Sequence, residues 1–137
     1  MGSRILLIED NPDNMDLMSY LLEAYGHTTL KAWDGEDGLV AAEREVPDLI
    51  LCDIQLPKLD GFGVCRQLSQ SESLKEVPLV AITALAMAGD REKVLAAGFD
   101  GYISKPIDSE QFVTQVENFI ALKSSHGTRP APPQRAV

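Results

Sequence analysis

LILCDIQLPKLDG, residues 49–61, runs four apolar residues into Asp53 and then passes through Pro57 to Asp60-Gly61. An uninterrupted apolar run is what a strand covered on both faces requires, because neither side of it meets water. Short runs of the same kind recur: RILLI (4–8), TTLKA (28–32), DLILC (48–52), PLVAI (78–82) and GYIS (101–104). The stretches between them carry helical spacing. From Pro12, Met15, Met18, Leu22 and Tyr25 recur until Gly26; from Ser109, Phe112, Val116, Phe119 and Ile120 do the same. Asn11 before Pro12 suits a cap followed by a first-turn proline, and Asp108 or Ser109 can cap the last helix. Strands alternating with helices predict an α/β domain with a doubly wound five-stranded parallel sheet, (βα)5, and right-handed crossovers. A closed barrel of eight such units needs about 250 residues, more than the 137 present.

Composition fits one domain. A chain of 137 residues with 45% hydrophobic and 24% charged residues can bury a substantial core. The longest uncharged apolar runs, such as Ile5–Ile8, fall far short of the ~20 residues of a membrane-spanning helix. Arg4 leads into a short run that ends at Glu9-Asp10, unlike a signal peptide, so a cytoplasmic location is expected, with no membrane partner. Cys52 and Cys65 form neither a disulfide framework nor a zinc pattern and read as buried thiols. The net charge of −9 opposes non-specific nucleic-acid binding. Three of the 12 basic residues, Lys123, Arg129 and Arg135, lie beyond residue 122, leaving nine in the body against all 21 acids. The domain is expected to span 1–122. The basic, proline-rich tail 123–137 is expected to be disordered from about Ser124.

In a doubly wound sheet the ligand site lies beyond the carboxyl ends of the strands. Glu9 and Asp10 follow the first strand, Asp53 the third, Thr83 and Ala84 the fourth, and Lys105-Pro106 the fifth. Singly, these are ordinary caps, a helix start and a surface lysine. Together they place three carboxylates, a hydroxyl and an ammonium at one edge. Crowded acids repel one another unless a cation neutralises them, and hard oxygen ligands with room for water suit Mg2+. Asp53 beside Mg2+ and an ammonium suggests a nucleophile toward phosphorus, with Thr83 and Lys105 binding the same anion. Of the two histidines, only His27 has any chance of lying near that edge and His126 is in the tail, which supports neither a triad nor a zinc site. No glycine-rich turn forms a P-loop. Phosphatases of the haloacid dehalogenase type place a proton-transferring aspartate two residues beyond the nucleophile; here that residue is Gln55.

The motifs IEDN, CDIQLPKLDG, ITA and YISKP, in that order and spacing, resemble the receiver domain of two-component response regulators over residues 4–122. EDNPDNM, LLEAYGH and AGFDGYISKPI are most similar to single-domain receivers of the DivK type, and receivers of hybrid kinases share much of this wording. The resemblance implies the flavodoxin-like strand order 2-1-3-4-5. It implies that Asp53 accepts phosphate from a histidine kinase or histidine phosphotransfer protein. Glu9, Asp10, Asp53 and the backbone carbonyl of Gln55 would hold Mg2+, and Thr83 and Lys105 would bind the phosphoryl oxygens. Thr83 and Tyr102 would act as the switch, Lys105-Pro106 would be a cis peptide that aims the ammonium, and helix 4, strand 5 and helix 5 would face a downstream protein. Such a chain is expected to be no enzyme beyond its own phosphorylation and dephosphorylation, the latter slow because Leu85 carries no charge to position a water. The alternatives are a receiver excised from a hybrid kinase or multidomain regulator, a hydrolase turning over an aspartyl phosphate, and an unphosphorylated scaffold.

Overall fold

A computed structural model describes residues 2–84 and 88–126. Its elements run β1 (Arg4–Ile8), α1 (Pro12–Ala24), β2 (Thr28–Ala32), α2 (Gly35–Glu45) and β3 (Leu49–Asp53). They continue with α3 (Gly61–Ser69), β4 (Leu79–Thr83), α4 (Asp90–Ala97), β5 (Gly101–Ser104) and α5 (Phe112–His126). The five strands form one sheet in the order β2-β1-β3-β4-β5, and every pairing is parallel. This is the expected doubly wound architecture.

Side-chain alternation along the strands divides the core in two. Ile5 and Leu7 of β1, Leu49 and Leu51 of β3, and Val80 and Ile82 of β4 pack with Met15, Met18 and Leu22 of α1 and Phe112, Val113 and Val116 of α5. The intervening residues Leu6, Ile8, Ile50, Cys52, Leu79 and Ala81 meet α2, α3 and α4 through Ala41, Ala42, Val64, Cys65, Leu68 and Val94. Helices therefore cover both faces, which is why β3 and β4 carry no polar residue before their last position.

Four local readings need correction. β3 and β4 each sit one residue later than their sequence runs, because the ladder continues through Asp53 opposite Ile82 and through Ile54 N–H donating to Ile82 O at 3.1 Å. Asp53 and Thr83 are thus the last residues of strands. Tyr25 does not share the buried face of α1: it is the helix's carboxyl cap and 67% exposed. α5 begins at Phe112 after a turn in which Asp108 Oδ1 accepts Glu110 N–H at 2.9 Å and Gln111 N–H donates to Asp108 O at 3.1 Å. At its other end α5 continues to His126, past the boundary at 122 and past Ser124. No proline interrupts it there, and an established helix gains a hydrogen bond with each added residue. The remainder of the tail, 127–137, lies outside the described residues.

Capping follows the expected chemistry. Asn11 accepts Asn14 N–H at 3.0 Å at the start of α1, and Asp60 accepts Gly63 N–H at 2.9 Å at the start of α3. Among the described residues no helix is long and apolar enough to cross a membrane. Two non-glycine residues have positive φ, Lys58 at 68 and Val46 at 41; Val46 closes α2 with ψ 72 in the left-handed region, where a β-branched side chain crowds its own backbone. Val46 is exposed and contributes no core packing. Val46→Gly is expected to stabilise the protein by about 1 kcal/mol, the relief of left-handed strain exceeding the entropy glycine adds to the unfolded chain. Urea unfolding at equilibrium measures it, and an unchanged or lower midpoint contradicts the strain.

Candidate functional site

The chain leaves β1 toward β2 on one side of the sheet and leaves β3 toward β4 on the other, so a crevice opens between the carboxyl ends of β1 and β3. The register sets Ile8 opposite Cys52. Glu9 and Asp53, each one residue further on, therefore emerge side by side. Both are buried, at 0% and 2% exposure, whereas Asp10 stands exposed beside them. One carboxylate oxygen from each of Glu9, Asp10 and Asp53 lies within 4.8 Å of the others.

Lys105 reaches this cluster from beyond β5. Its Nζ donates to Asp53 Oδ2 at 2.6 Å and stands 3.9 Å from Glu9 Oε1. The strand pairing that brings it there runs through Thr83, whose carbonyl accepts Lys105 N–H at 2.8 Å. The Lys105-Pro106 peptide is cis. Asp53 Oδ1 accepts Gln55 N–H at 2.9 Å, so both Asp53 oxygens have donors. Glu9 is less well served. Its Oε2 accepts Asn11 N–H at 3.1 Å, but among the described residues its buried Oε1 has no hydrogen-bond partner.

That imbalance has an electrostatic signature. Burial first, and the adjacent Asp53 carboxylate second, raise the Glu9 carboxyl from its ordinary value to about 7, against the opposing pull of Asn11 N–H and Lys105. A buried carboxylate oxygen without a donor, facing a second carboxylate and an exposed third, is a donor set that fits a small divalent cation. Such an ion would supply the missing partner of Glu9 and neutralise the crowding.

Thr83 sits half-buried at the end of β4, one residue beyond the Ile82 that pairs with Asp53, and the exposed Ala84 follows it. Tyr102 is half-buried on β5. Leu85 lies outside the described residues. His27 is at the opposite edge of the sheet, where its Nδ1 accepts Ser3 N–H at 3.0 Å and its Nε2 meets Glu117 at 2.8 Å, so it takes no part in this site. Cys52 adjoins Asp53 but faces the core, and burial pushes its thiol well above the ordinary range.

Two supports escape a reading of spacing alone. Asn11 serves Glu9 through its backbone N–H as well as capping α1, a role no side-chain pattern reveals. Gly61 brings the first turn of α3 against the loop: a Cβ there would lie 2.7 Å from Asp53 O, and Gly61 N–H donates to Ile54 O at 2.8 Å. Asp60 caps α3 beside it, whereas the close approach of Gly61 to Asp53 O depends on the fold.

Residues 5–117 match the response regulator receiver domain family. The polar-differentiation response regulator DivK of Brucella ovis is 39% identical over 120 residues, covering 88% of this chain and 98% of that protein. The receiver domain of sensor histidine kinase PA1611 from Pseudomonas aeruginosa PAO1 was solved with a magnesium ion coordinated in its active-site cleft. It superposes with a TM-score of 0.80 at 36% identity over 88% of this chain and 99% of that one. The receiver domain of a signal transduction histidine kinase from Syntrophus aciditrophicus gives a TM-score of 0.80 at 28% identity, covering 88% and 91%. With a family match over most of the chain and an acid cluster at the switch point of a 2-1-3-4-5 sheet, the chain belongs to the response regulator receiver domains and resembles DivK.

Proposed function

We propose that this receiver accepts a phosphoryl group on Asp53 in a Mg2+-dependent reaction with a histidine kinase or histidine phosphotransfer protein, and that the phosphorylated form changes its affinity for a protein target. The 2.6 Å contact of Lys105 with Asp53 inside a three-carboxylate cluster carries this reading. The ammonium lies directly against Asp53, the carboxylate that would act as the nucleophile. Gln55 N–H fixes the orientation of Oδ1 and Lys105 that of Oδ2. As the phosphoryl group is transferred, Lys105 and the Thr83 hydroxyl offset the charge on its oxygens. Glu9, Asp10, Asp53 and the Gln55 carbonyl would hold Mg2+, which supplies charge neutralisation for the incoming group.

With Thr83 drawn toward the phosphoryl oxygens, Tyr102 moves inward and the surface formed by α4, β5 and α5 presents the new state to the target. Gln55 stands where a general acid would be needed for rapid turnover, and the uncharged Leu85 fits slow loss of the phosphoryl group. The protein acts as a switch and not as a catalyst on external substrates.

Incubation with Mg2+ and acetyl phosphate followed by intact-mass measurement is expected to show one added phosphoryl group, absent in Asp53→Asn. Continuous phosphate release over many turnovers identifies a hydrolase instead, and no mass gain identifies a scaffold. The raised Glu9 carboxyl gives a second expectation. The folded, metal-free protein holds that proton more tightly than the unfolded chain, so this contribution to stability is full below the ordinary value of 4.5 and lost as pH rises through about 7. Thermal unfolding in chelator is expected to show this decline in the wild type and a flatter profile in Glu9→Gln. Mg2+ restores the wild type at pH 8 and stabilises the variant less. Equal pH profiles and equal gains from Mg2+ contradict the assignment.

A further inference from the structure

α4 has the thinnest anchorage of the helices. Val94 is its one buried residue, and its amino end is capped by Gly89, at φ 91, with no side-chain hydrogen bond. Two cations on its surface compensate. Lys93 Nζ lies 5.9 Å from the centre of the Phe62 ring, and Arg91 Cζ lies 5.5 Å from the centre of the Tyr102 ring. Both rings belong to the partly buried rim of the core under α2, α3 and α4. Phe62 is held on its other side by an edge-on contact with the buried Phe99 at 6.0 Å. Among the described residues no ion pair engages Arg91, and its guanidinium lies over the Tyr102 ring.

Tyr102 occupies a particular place in the sheet. It pairs with Ala81, while Thr83 pairs with Ser104. Because side chains alternate, Ala81, Thr83 and Tyr102 project from the same face, with Thr83 one step along from the Tyr102 pair. Ala81, fully buried and small, leaves the ring a path along that face. The cation of Arg91 attracts the ring only while the ring stays at the rim.

We propose that Arg91 is a positioning residue for Tyr102: its guanidinium holds the phenol at the rim of the sheet, opposes its movement toward Thr83, and ties the position of α4 to that of the ring. The inference rests on the reading of Thr83 and Tyr102 as the response to phosphorylation of Asp53. Coupling of this kind is reciprocal. Whatever draws Tyr102 inward frees Arg91 and removes one of the few contacts that seat α4, and whatever occupies Arg91 from outside releases the ring. A cation–ring contact at an exposed site shifts a two-position equilibrium by about two- to five-fold.

The test uses the full chain with fluorotyrosine at its three tyrosines, the Tyr102 signal being identified by its loss in Tyr102→Phe. Fluorine NMR is recorded with Mg2+ alone and with Mg2+ and beryllofluoride as the phosphoryl mimic. The wild-type Tyr102 signal is expected to move on addition of beryllofluoride. Without the mimic, Arg91→Ala is expected to move toward the loaded position, its inward population raised about two- to five-fold. Arg91→Lys, which keeps a cation, recovers part of the difference, and Lys93→Ala, which removes the same kind of contact from α4 over a different ring, leaves the signal in place. If Arg91→Ala matches the unloaded wild type while the wild type still responds, the positioning role is wrong and the switch reading stands. Equal shifts in Lys93→Ala and Arg91→Ala also overturn it, because the contact then merely seats α4. A wild-type signal that ignores beryllofluoride, in protein whose Asp53 takes a phosphoryl group, removes the switch reading itself.

Discussion

Two carboxylates cannot be buried side by side in a protein interior without help, and the structure is organised around that difficulty. Glu9 and Asp53 emerge from adjacent strands with almost no access to water. Lost hydration and the neighbouring Asp53 raise the Glu9 carboxyl above its ordinary value. Lys105 offsets Asp53 directly and Glu9 only at longer range, so the cluster is under-neutralised by design of its parts. A site that is electrostatically incomplete has affinity for whatever completes it, first a cation and then, beside that cation, an anion. Each partner would lower the cost of holding the other, and the proposed metal and phosphoryl chemistry would draw on that mutual neutralisation.

The parallel sheet makes this arrangement possible at little backbone expense. All strands point the same way, so their carboxyl ends form a single rim, and residues far apart in sequence arrive there without any loop having to cross the core. Asp53 and Lys105 are 52 residues apart yet meet because β4 bridges their strands. The loop after β3 is then drawn tight by Gly61 against Asp53 O, and Lys58 Nζ leans on Asp34 at 3.6 Å at the start of α2. Lys58, close backbone contacts and the packing of Ile54, Leu56 and Leu59 against the core hold this loop.

Much of this was readable in the amino-acid order, for a physical reason. Buried parallel strands must be apolar throughout, so an acid after such a run stands out, and the fold places every such acid at one rim. Asp53, Glu9, Thr83 and Lys105 could thus be gathered from four separate runs. Boundaries were less readable: a ladder ends where hydrogen bonding stops, and it carried β3 and β4 one residue beyond their apolar signal. Tyr25 fits the helical period yet caps α1 in solvent, because period alone does not tell where a helix lets go. The backbone donor of Asn11 and the seating of Arg91 over Tyr102 left no trace in spacing, since both depend on distances set by tertiary packing.

His27 bears on how motion can pass through the molecule. Its ring joins Ser3 N–H at the chain's beginning to Glu117 on α5, at the amino edge of the sheet and away from the acid cluster. α5 is thereby pinned near its middle while its first turn lies close to the loop that carries Lys105. A rigid helix held at one point along its length is a lever about that point, so a force on the first turn of α5 would swing its two ends in opposite senses.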